Sequence, residues 1–279
     1  MIHLSPAKIN IGLAVTGRRE DGFHNLQSVM VPIGLCDILE IKPSGLTGKG
    51  LHFSQSGILA DTGEGKNLCE RAFEILSERG SLPHVNIHLH KQIPVGAGLG
   101  GGSSNATTTL LGLNRMLPEP LLPDQLHEMA AELGSDCPFF LHREPMLMEG
   151  RGEILSPILV DMEGLILVVL FPGIHSSTAE AYAAVTPATP SDHLKQLVAA
   201  PIKRWKEMVV NDFEKGIFRK YPELDLLKHG LYKAGALYAS LSGSGSSLFG
   251  IFPGPPQLPA GLSQYVIWSG AAEAPPETI

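Results

Sequence analysis

The sequence has little of what marks several large classes of protein. Its 279 residues include only three cysteines, which are scattered and form no CxxC pair, so we predict no disulfide framework and a reducing compartment. Lysine and arginine together number 21 against 28 acidic residues, and the net charge of −7 offers no basic surface for nucleic acid or for an anionic membrane. These absences favour a protein whose partner is a small molecule.

Long hydrophobic runs and targeting segments are missing as well. The most apolar run, residues 165–171, is far shorter than the roughly twenty residues that span a bilayer. Residues 1–10 have neither the apolar core of a signal peptide nor the Arg- and Ser-rich character of a transit segment. With 43% hydrophobic residues the chain can still bury a large core, so we expect a globular, cytoplasmic protein.

Glycine, in contrast, is concentrated in one place. Residues 94–106 read PVGAGLGGGSSNA, between an alternating strand pattern at 85–90 and a helical pattern at 105–117 for which Ser103 and Ser104 are suitable N-caps. Glycine lets a ligand approach bare N–H groups, and the start of a helix adds unpaired donors and the positive end of its dipole. This pattern predicts a phosphate-binding loop rather than a flexible linker.

Three known types of nucleotide-binding loop do not fit this sequence. A Walker A loop needs a lysine before its Ser or Thr, and here Gly102 stands between Gly101 and Ser103. The dinucleotide pattern GxGxxG is formally met from Gly96 onward, but the acidic residues that follow lie in a proline-rich turn instead of at a strand end. The HRD and DFG motifs of protein kinases do not occur in the sequence.

Strand and helix patterns alternate in an order typical of an α+β protein. In the first half, strands are predicted at 2–16, 26–42 and 85–90, and helices at 66–79, 105–117 and 123–133. The last of these helices is predicted to end at a left-handed Gly134. In the second half, strands are predicted at 165–171, 238–241, 247–252 and 265–268, with a helix at 223–234. A boundary between two units is expected near 144–160.

Two residues could carry chemistry. Lys8 lies in SPAKINIGL, where a strand pattern puts it on the same side as Asn10. Asp136 follows the predicted end of a helix in GSDCPFF. Taken alone, a lysine on a strand is usually solvated, and an aspartate at this point is most simply a turn or N-cap residue.

Two further patterns leave alternatives open. Residues 242–247, SGSGSS, could form a nest of N–H groups for a phosphate chain or an ordinary tight connection between strands. Among His84, His88 and His90, two imidazoles share one strand face, and no third ligand for that pair lies nearby in sequence. This favours a solvated strand face over a zinc site.

Together these motifs resemble those of the GHMP kinase superfamily in order and spacing. The resemblance rests on PAKINIGL at 6–13, PVGAGLGGGSSNA at 94–106, GSDCPFF at 134–140 and LSGSGSSLF at 241–249. It implies an α+β fold with an N-terminal domain like domain 2 of ribosomal protein S5 at 1–150 and a ferredoxin-like C-terminal domain at 151–279. ATP and the acceptor would then meet in the cleft between the domains.

One segment resembles a particular branch of that superfamily. REDGFHNLQS at 19–28 and the PAKIN start are similar to kinases that phosphorylate the 2-hydroxyl of a cytidine-diphosphate-linked methylerythritol in the non-mevalonate isoprenoid (terpenoid) pathway. Many relatives read DGYH where this chain reads DGFH, which removes a phenolic hydroxyl but keeps an aromatic face.

The resemblance also implies roles for individual residues, with ATP and Mg²⁺ as cofactors. Lys8 and Asp136 would be the catalytic pair. The residues implied for ATP are Pro94, Val95, Gly96, Ala97, Gly98, Leu99, Gly100, Gly101, Gly102, Ser103 and Ser104, with Asn67 and Lys91 near the adenine. Those implied for the acceptor are Asn10, Phe23, His24, Tyr182, Gly243 and Ser244. Protein ligands of the metal are not implied.

Several readings stay open beside this one. Asn67 could simply cap a helix, Lys91 could be a strand-end charge, and Tyr182 could be a core aromatic on a helix. Another small-molecule kinase of the superfamily would keep the glycine-rich loop, Lys8 and Asp136 but take a different acceptor. A non-catalytic ligand-binding protein on this fold is expected to have lost Lys8 or Asp136, and both are present. The sequence leaves the oligomeric state open between monomer and homodimer.

Overall fold

A long two-stranded ribbon is the centre of the fold. The computed structural model describes residues 1–58, 65–188 and 193–272. Strands β1 (Ile2–Arg18) and β2 (His24–Pro43) pair antiparallel from Ile2 opposite Glu40 to Arg18 opposite His24. Residues 7–13 of β1 are all buried, which indicates that this part of the ribbon is covered on both faces.

The ribbon belongs to a six-stranded sheet in the first half of the chain. The other strands are β3 (Gly50–Gly57), β4 (His84–Lys91), β5 (Met146–Gly150) and β6 (Ile154–Pro157). The strand order is β3-β4-β2-β5-β6 with β1 paired to β2, and only β3 and β4 run parallel. Helices α1 (Leu68–Arg79) and α2 (Gly101–Asn114) pack against it, and α3 (Pro123–Leu133) packs against these two helices. Helices α1 and α2 bury Leu76, Leu110 and Leu113 against Ile87 and Leu89 of β4.

A four-stranded antiparallel sheet organises the second half. Its strands are β7 (Ile166–Leu170), β8 (Tyr238–Leu241), β9 (Leu248–Phe252) and β10 (Val266–Ala271), in the order β10-β7-β9-β8. The helices are α4 (Thr178–Ala183), α5 (Leu194–Val198), α6 (Trp205–Met208), α7 (Glu214–Lys220), α8 (Pro222–Lys233) and α9 (Ala260–Ser263). Among the described residues, no helix has the length and apolar character required to cross a membrane.

The two sheets share a hydrophobic core. Ile9 and Ile11 of β1 and Ile33 of β2 are fully buried in one cluster with Leu167 of β7 and Phe249 of β9. Burial of this apolar surface is the dominant force that holds the two halves together. The junction of the sheets therefore places the middle of β1, including Lys8, between the two halves of the molecule.

The mixed α+β class and most predicted elements are confirmed, with three corrections. Ser103 and Ser104 are not N-caps, because α2 begins earlier and left-handed Gly100, at φ 69°, holds the cap position. Gly134 has a φ of 169°, so the backbone after α3 is extended rather than left-handed. The last strand runs to Ala271, beyond the predicted 265–268. The domain boundary at 150 stays a prediction; the first sheet continues to Pro157.

Candidate active site

The glycine loop, residues 94–104, has a backbone that only glycine adopts readily. Gly96, Gly98 and Gly100 have φ values of 67°, 76° and 69°, so left-handed residues alternate along it. A Cβ on Gly98 would lie 2.1 Å from the carbonyl oxygen of Ser242, and one on Gly100 would lie 2.9 Å from the Phe140 ring. The loop ends at the N-terminus of α2, whose first N–H groups and dipole favour an anion.

A first cavity of about 360 Å³ opens beside this loop. Besides loop residues, the cavity is lined by Lys66, Asn67, Leu68, Leu89, Lys91 and Asn105. The Asn67 side-chain oxygen accepts from the backbone N–H of Cys69 at 2.9 Å and so caps α1. Asn67 is therefore a helix cap that also borders the cavity predicted for ATP.

Lys91 borders the same cavity, but its ammonium is engaged in the protein interior. Its side chain is 3% exposed, and Nζ lies 2.5 Å from Oδ2 of the fully buried Asp37. Burial lowers the pKa of Lys91, while the Asp37 carboxylate acts in the opposite direction. Lys91 thus forms a buried ion pair rather than a strand-end charge in solvent.

Lys8 lies at the centre of the site. Its side chain is 5% exposed; Nζ donates to Oδ1 of Asn10 at 2.6 Å and to the carbonyl of Gly98 at 2.9 Å. Asn10 in turn donates from Nδ2 to Oγ of Ser28 at 2.8 Å, which fixes the orientation of its amide. Burial lowers the pKa of Lys8, and the nearby Asp136 carboxylate partly offsets that effect.

Asp136 completes the predicted pair. It lies in the turn that follows α3, and its Oδ2 is 3.7 Å from Nζ of Lys8. Its side chain is 37% exposed, so the carboxylate keeps free lone pairs toward the neighbouring space. The geometry joins a buried cation to an accessible carboxylate at the glycine loop.

A second, larger cavity of about 870 Å³ lies over this pair. Gly96, Gly98 and Gly100 line both cavities, so the glycine loop is their shared wall. The second cavity brings together every residue predicted for catalysis and for the acceptor: Lys8, Asn10, Phe23, His24, Asp136, Tyr182, Gly243 and Ser244.

The second glycine turn, residues 242–247, connects β8 to β9 and packs on the first. Oγ of Ser242 donates to the carbonyl of Gly98 at 2.9 Å. Gly243 has a φ of 56°, and a Cβ there would lie 3.2 Å from Oδ1 of Asn10. The buried Asn211 donates from Nδ2 to the carbonyls of Leu241 and Gly243 and holds the turn in place. The turn is a tight connection that also forms part of the cavity wall.

The aromatic side chains implied for the acceptor lie close together. His24 stacks on Tyr182 with a centroid separation of 4.9 Å and an angle of 17°. Phe213 meets the ring of Tyr182 edge-on at 5.0 Å. Phe23 is 57% exposed at the cavity, with the guanidinium of Arg151 at 5.1 Å from its ring centre. In this arrangement Phe23 is the ring with a free face.

Comparisons with known proteins agree with this geometry. Residues 67–144 match the model of the GHMP kinases N terminal domain, and residues 194–264 match GHMP kinases C terminal. The 4-diphosphocytidyl-2-C-methyl-D-erythritol kinase of Azobacteroides pseudotrichonymphae is 44% identical over 91% of this chain and 94% of its own length. The chain belongs to this kinase family. The enzyme of the same name from Parabacteroides distasonis is 41% identical over 97% of this chain and 99% of its own.

A solved structure supports the same assignment. A crystal structure of 4-(cytidine 5'-diphospho)-2C-methyl-D-erythritol kinase superposes with a TM-score of 0.79 at 36% identity, covering 91% of each chain. The predicted two-domain GHMP kinase fold is thereby confirmed. As a member of this kinase family, the protein is an ATP-dependent phosphotransferase with an alcohol group as acceptor.

The sequence reasoning missed several residues of this kinase site. Phe213, Ser176, Thr178 and Arg151 line the second cavity, and Asp37 pairs with Lys91. Asp37 alone had a readable signal, since it is a carboxylate between the apolar pairs 35–36 and 38–39 of the predicted strand 26–42. The others lie in loops and short helices whose neighbours in space are distant in sequence.

The histidines of β4 take no part in the site. Nδ1 of His88 lies 2.8 Å from Oγ of Ser54, and its Nε2 lies 2.9 Å from Oγ of Ser56 on β3. Over the residues that the structure describes, no group of three or more His, Cys, Asp or Glu side chains is arranged to hold a metal ion. The imidazole of His88 is thus engaged by serine hydroxyls of the neighbouring strand.

Proposed function

We propose that the protein transfers the γ-phosphoryl group of ATP to the 2-hydroxyl of 4-diphosphocytidyl-2-C-methyl-D-erythritol, a step of the non-mevalonate isoprenoid pathway. One observation carries the proposal. The glycine loop separates two cavities, and the Lys8–Asp136 pair lines the larger one, with Nζ of Lys8 bonded to the carbonyl of Gly98 in the shared wall. A donor phosphate in one cavity and a hydroxyl in the other would meet at this pair. The acceptor is the one for which the relatives of this chain are named.

Asp136 is the group that we expect to act on the hydroxyl. As the hydroxyl oxygen forms its bond to the γ-phosphorus, the bond from that phosphorus to the bridging oxygen breaks and ADP leaves. Asp136 orients the hydroxyl and accepts its proton. The exposed fraction of its carboxylate supports this role, because a proton acceptor must be within reach of the substrate.

Lys8 is the electrostatic partner in this proposal. Its ammonium attracts the Asp136 carboxylate and offsets negative charge that develops on the transferred group. Bonds to Asn10 and to the Gly98 carbonyl hold Nζ in one position, so little reorganisation is needed during the reaction.

The glycine loop would hold the nucleotide. Backbone N–H groups of Gly98 to Ser104 would bind the α- and β-phosphates, and Asn67 and Lys91 would lie near the adenine. The left-handed glycines fit this role, since Cβ atoms at Gly98 and Gly100 would fill the cradle. Mg²⁺ would add positive charge on the phosphates; it keeps several waters and needs few protein ligands.

The acceptor would lie in the larger cavity. The free face of Phe23 is suited to stack on a cytosine, with His24 at the edge of the base and Tyr182 beside it. Asn10, Gly243 and Ser244 would contact the diphosphate or sugar-alcohol end. A base that enters between His24 and Tyr182 would first have to separate these stacked rings.

The test is an ADP-release assay with Mg-ATP and 4-diphosphocytidyl-2-C-methyl-D-erythritol, with mass spectrometry of the product. We expect one added phosphate, located on the 2-hydroxyl by phosphorus NMR, and no product with Asp136→Asn. Homoserine and mevalonate serve as comparison acceptors. Turnover of either of these with none of the cytidine compound would overturn the proposed acceptor, although ATP binding and the fold would stand.

A further inference from the structure

Asp37 is a buried carboxylate that the reaction scheme does not use. It lies in β2, is completely inaccessible to solvent, and accepts four hydrogen bonds. Oδ2 accepts from Nζ of Lys91 at 2.5 Å and from Nδ2 of Asn105 at 2.9 Å. Oδ1 accepts from the backbone N–H groups of Gln92 at 2.6 Å and Ile93 at 2.8 Å. Its hydrogen-bonding capacity is thereby filled.

These donors flank the glycine loop on both sides. Gln92 and Ile93 immediately precede Pro94, where the loop begins, and Asn105 lies in the first part of α2, just after the loop ends. One carboxylate therefore ties the entry and the exit of the loop to the same point of the central sheet. Asp37 itself lies outside the lining of both cavities.

The network continues into the start of α2. Nδ2 of Asn105 also donates to Oγ of Ser5 on β1 at 2.9 Å, and that hydroxyl is 2.8 Å from Oγ of Ser104. Ser5 and Ser104 are fully buried. A connected set of buried hydrogen bonds therefore holds the segment whose backbone N–H groups would face a phosphate.

Stability alone is a weak reason for such an arrangement. Taking a carboxylate and an ammonium out of water costs several kcal/mol each, and apolar residues of similar volume often stabilise a core as well or better. What apolar residues cannot do is fix the direction of four donors at once. Lys91 also packs closely against the start of α2, because a Cβ on Gly101, the first residue of that helix, would lie 2.8 Å from its Nζ. The ion pair is therefore in direct contact with the backbone that it would position.

We propose that Asp37 is a positioning residue for ATP: by holding both ends of the glycine loop, it sets the geometry of the phosphate-binding N–H groups without touching either substrate. This inference rests on the proposed role of the loop in binding ATP. Because small misplacements of binding groups are costly, loss of the carboxylate should weaken the binding of ATP more than that of the acceptor. The acceptor cavity has only Gly96, Gly98 and Gly100 in common with the ATP cavity, so binding of the acceptor should be affected less.

The experiment compares Asp37→Asn with the unmodified protein. Asparagine keeps the size and one acceptor oxygen but removes the charge. Mg-ATP is titrated calorimetrically without acceptor, and KM is then measured separately for ATP and for the acceptor. We expect ATP affinity to fall by about ten- to a hundredfold, with KM for the acceptor changed by less than about threefold. Unchanged ATP affinity in a folded but less stable variant would overturn the proposal.

A matched pair of buried serines tests the network even if Asp37→Asn does not fold. Asn105 lines the first cavity, so its own substitution would not separate direct contact from positioning. Ser5 and Ser240 are both buried, and neither lines either of the two cavities. Oγ of Ser5 bonds Asn105 and Ser104 at the exit of the loop, whereas Oγ of Ser240 bonds Glu214 and the backbone of Leu241. Ser5→Ala should weaken ATP binding by about three- to tenfold, and Ser240→Ala should lower stability without that effect.

The outcomes separate this inference from the proposed function. Equal ATP affinity for the two serine variants would overturn the positioning role of the buried network, Asp37 included, while wild-type turnover still supported the kinase. No ATP binding by the wild-type protein would overturn both. Selective loss of ATP affinity would support the inference whichever alcohol proves to be the acceptor.

Discussion

Two buried lysines border the glycine loop, and their partners differ. Lys91 lies 2.5 Å from Asp37, whose side chain is fully buried and whose oxygens are saturated with donors. Lys8 lies 3.7 Å from Asp136, whose side chain is 37% exposed. Burial lowers the pKa of both lysines, and the partner carboxylate opposes that shift in both.

The difference shows what separates a structural ion pair from one that can react. In the Asp37 pair no lone pair is left for a substrate, so the pair can only orient the backbone around it. In the Asp136 pair the carboxylate is loosely held and open to the larger cavity, so a hydroxyl could take up its free lone pairs. Burial of the lysine alone does not distinguish the two; exposure of the carboxylate does.

The largest effect should come from Asp136→Asn. Without the proton acceptor we expect kcat to fall by about 10²- to 10⁴-fold. The unfolding free energy should change by less than about 1 kcal/mol, because partly exposed pairs contribute little to stability. Steady-state kinetics and urea unfolding measure the two quantities. Near-normal turnover would remove Asp136 from the mechanism.

Lys91→Met should show the opposite balance. It leaves the Asp37 charge buried without its cation, so we expect the unfolding free energy to fall by about 3–5 kcal/mol. Among molecules that remain folded at low temperature, kcat at saturating ATP should stay within about tenfold of wild type. Urea unfolding followed by circular dichroism gives the stability. A loss of kcat as large as that of Asp136→Asn would erase the distinction between the pairs.

Lys8→Met tests the other lysine with the same substitution. Removing a preorganised charge from the reacting groups should lower kcat by about 10²- to 10³-fold. The partner carboxylate can still be solvated, so the loss of stability should be smaller than for Lys91→Met. Both variants are compared under identical conditions. If Lys8→Met lost stability and kept its turnover, Lys8 would be a structural lysine like Lys91.

The smallest effect concerns pH. In the proposed mechanism the protonated form of Lys8 is the active one, so activity should persist below its pKa and be lost as the pH rises through it. Since burial lowers that pKa, kcat should decline on the alkaline side at a lower pH than an ordinary lysine would cause. Asp136 opposes the shift, so the residual activity of Asp136→Asn should decline at a still lower pH. A decline at the same pH in both proteins would contradict this assignment.

The sequence predicted local structure well where periodicity and glycine content are strong. The long strands, the three helices of the first half and the glycine loop lie within a few residues of their predicted positions. The predicted serine caps of α2 were wrong, because a left-handed glycine fills the position one residue before the helix. Capping depends on backbone angles, and residue type alone does not determine them.

The amino-acid sequence by itself determined the α+β class, the position of the glycine loop and, through its motifs, the family. Each of these depends on residues that are close in sequence or on short patterns in a fixed order. Only the tertiary structure decided that Lys8 faces an open carboxylate and Lys91 a closed one, that His24 stacks on Tyr182, and that the two cavities share one wall. Those contacts join residues far apart along the chain, and they are set by how the two sheets pack together, which no local pattern records.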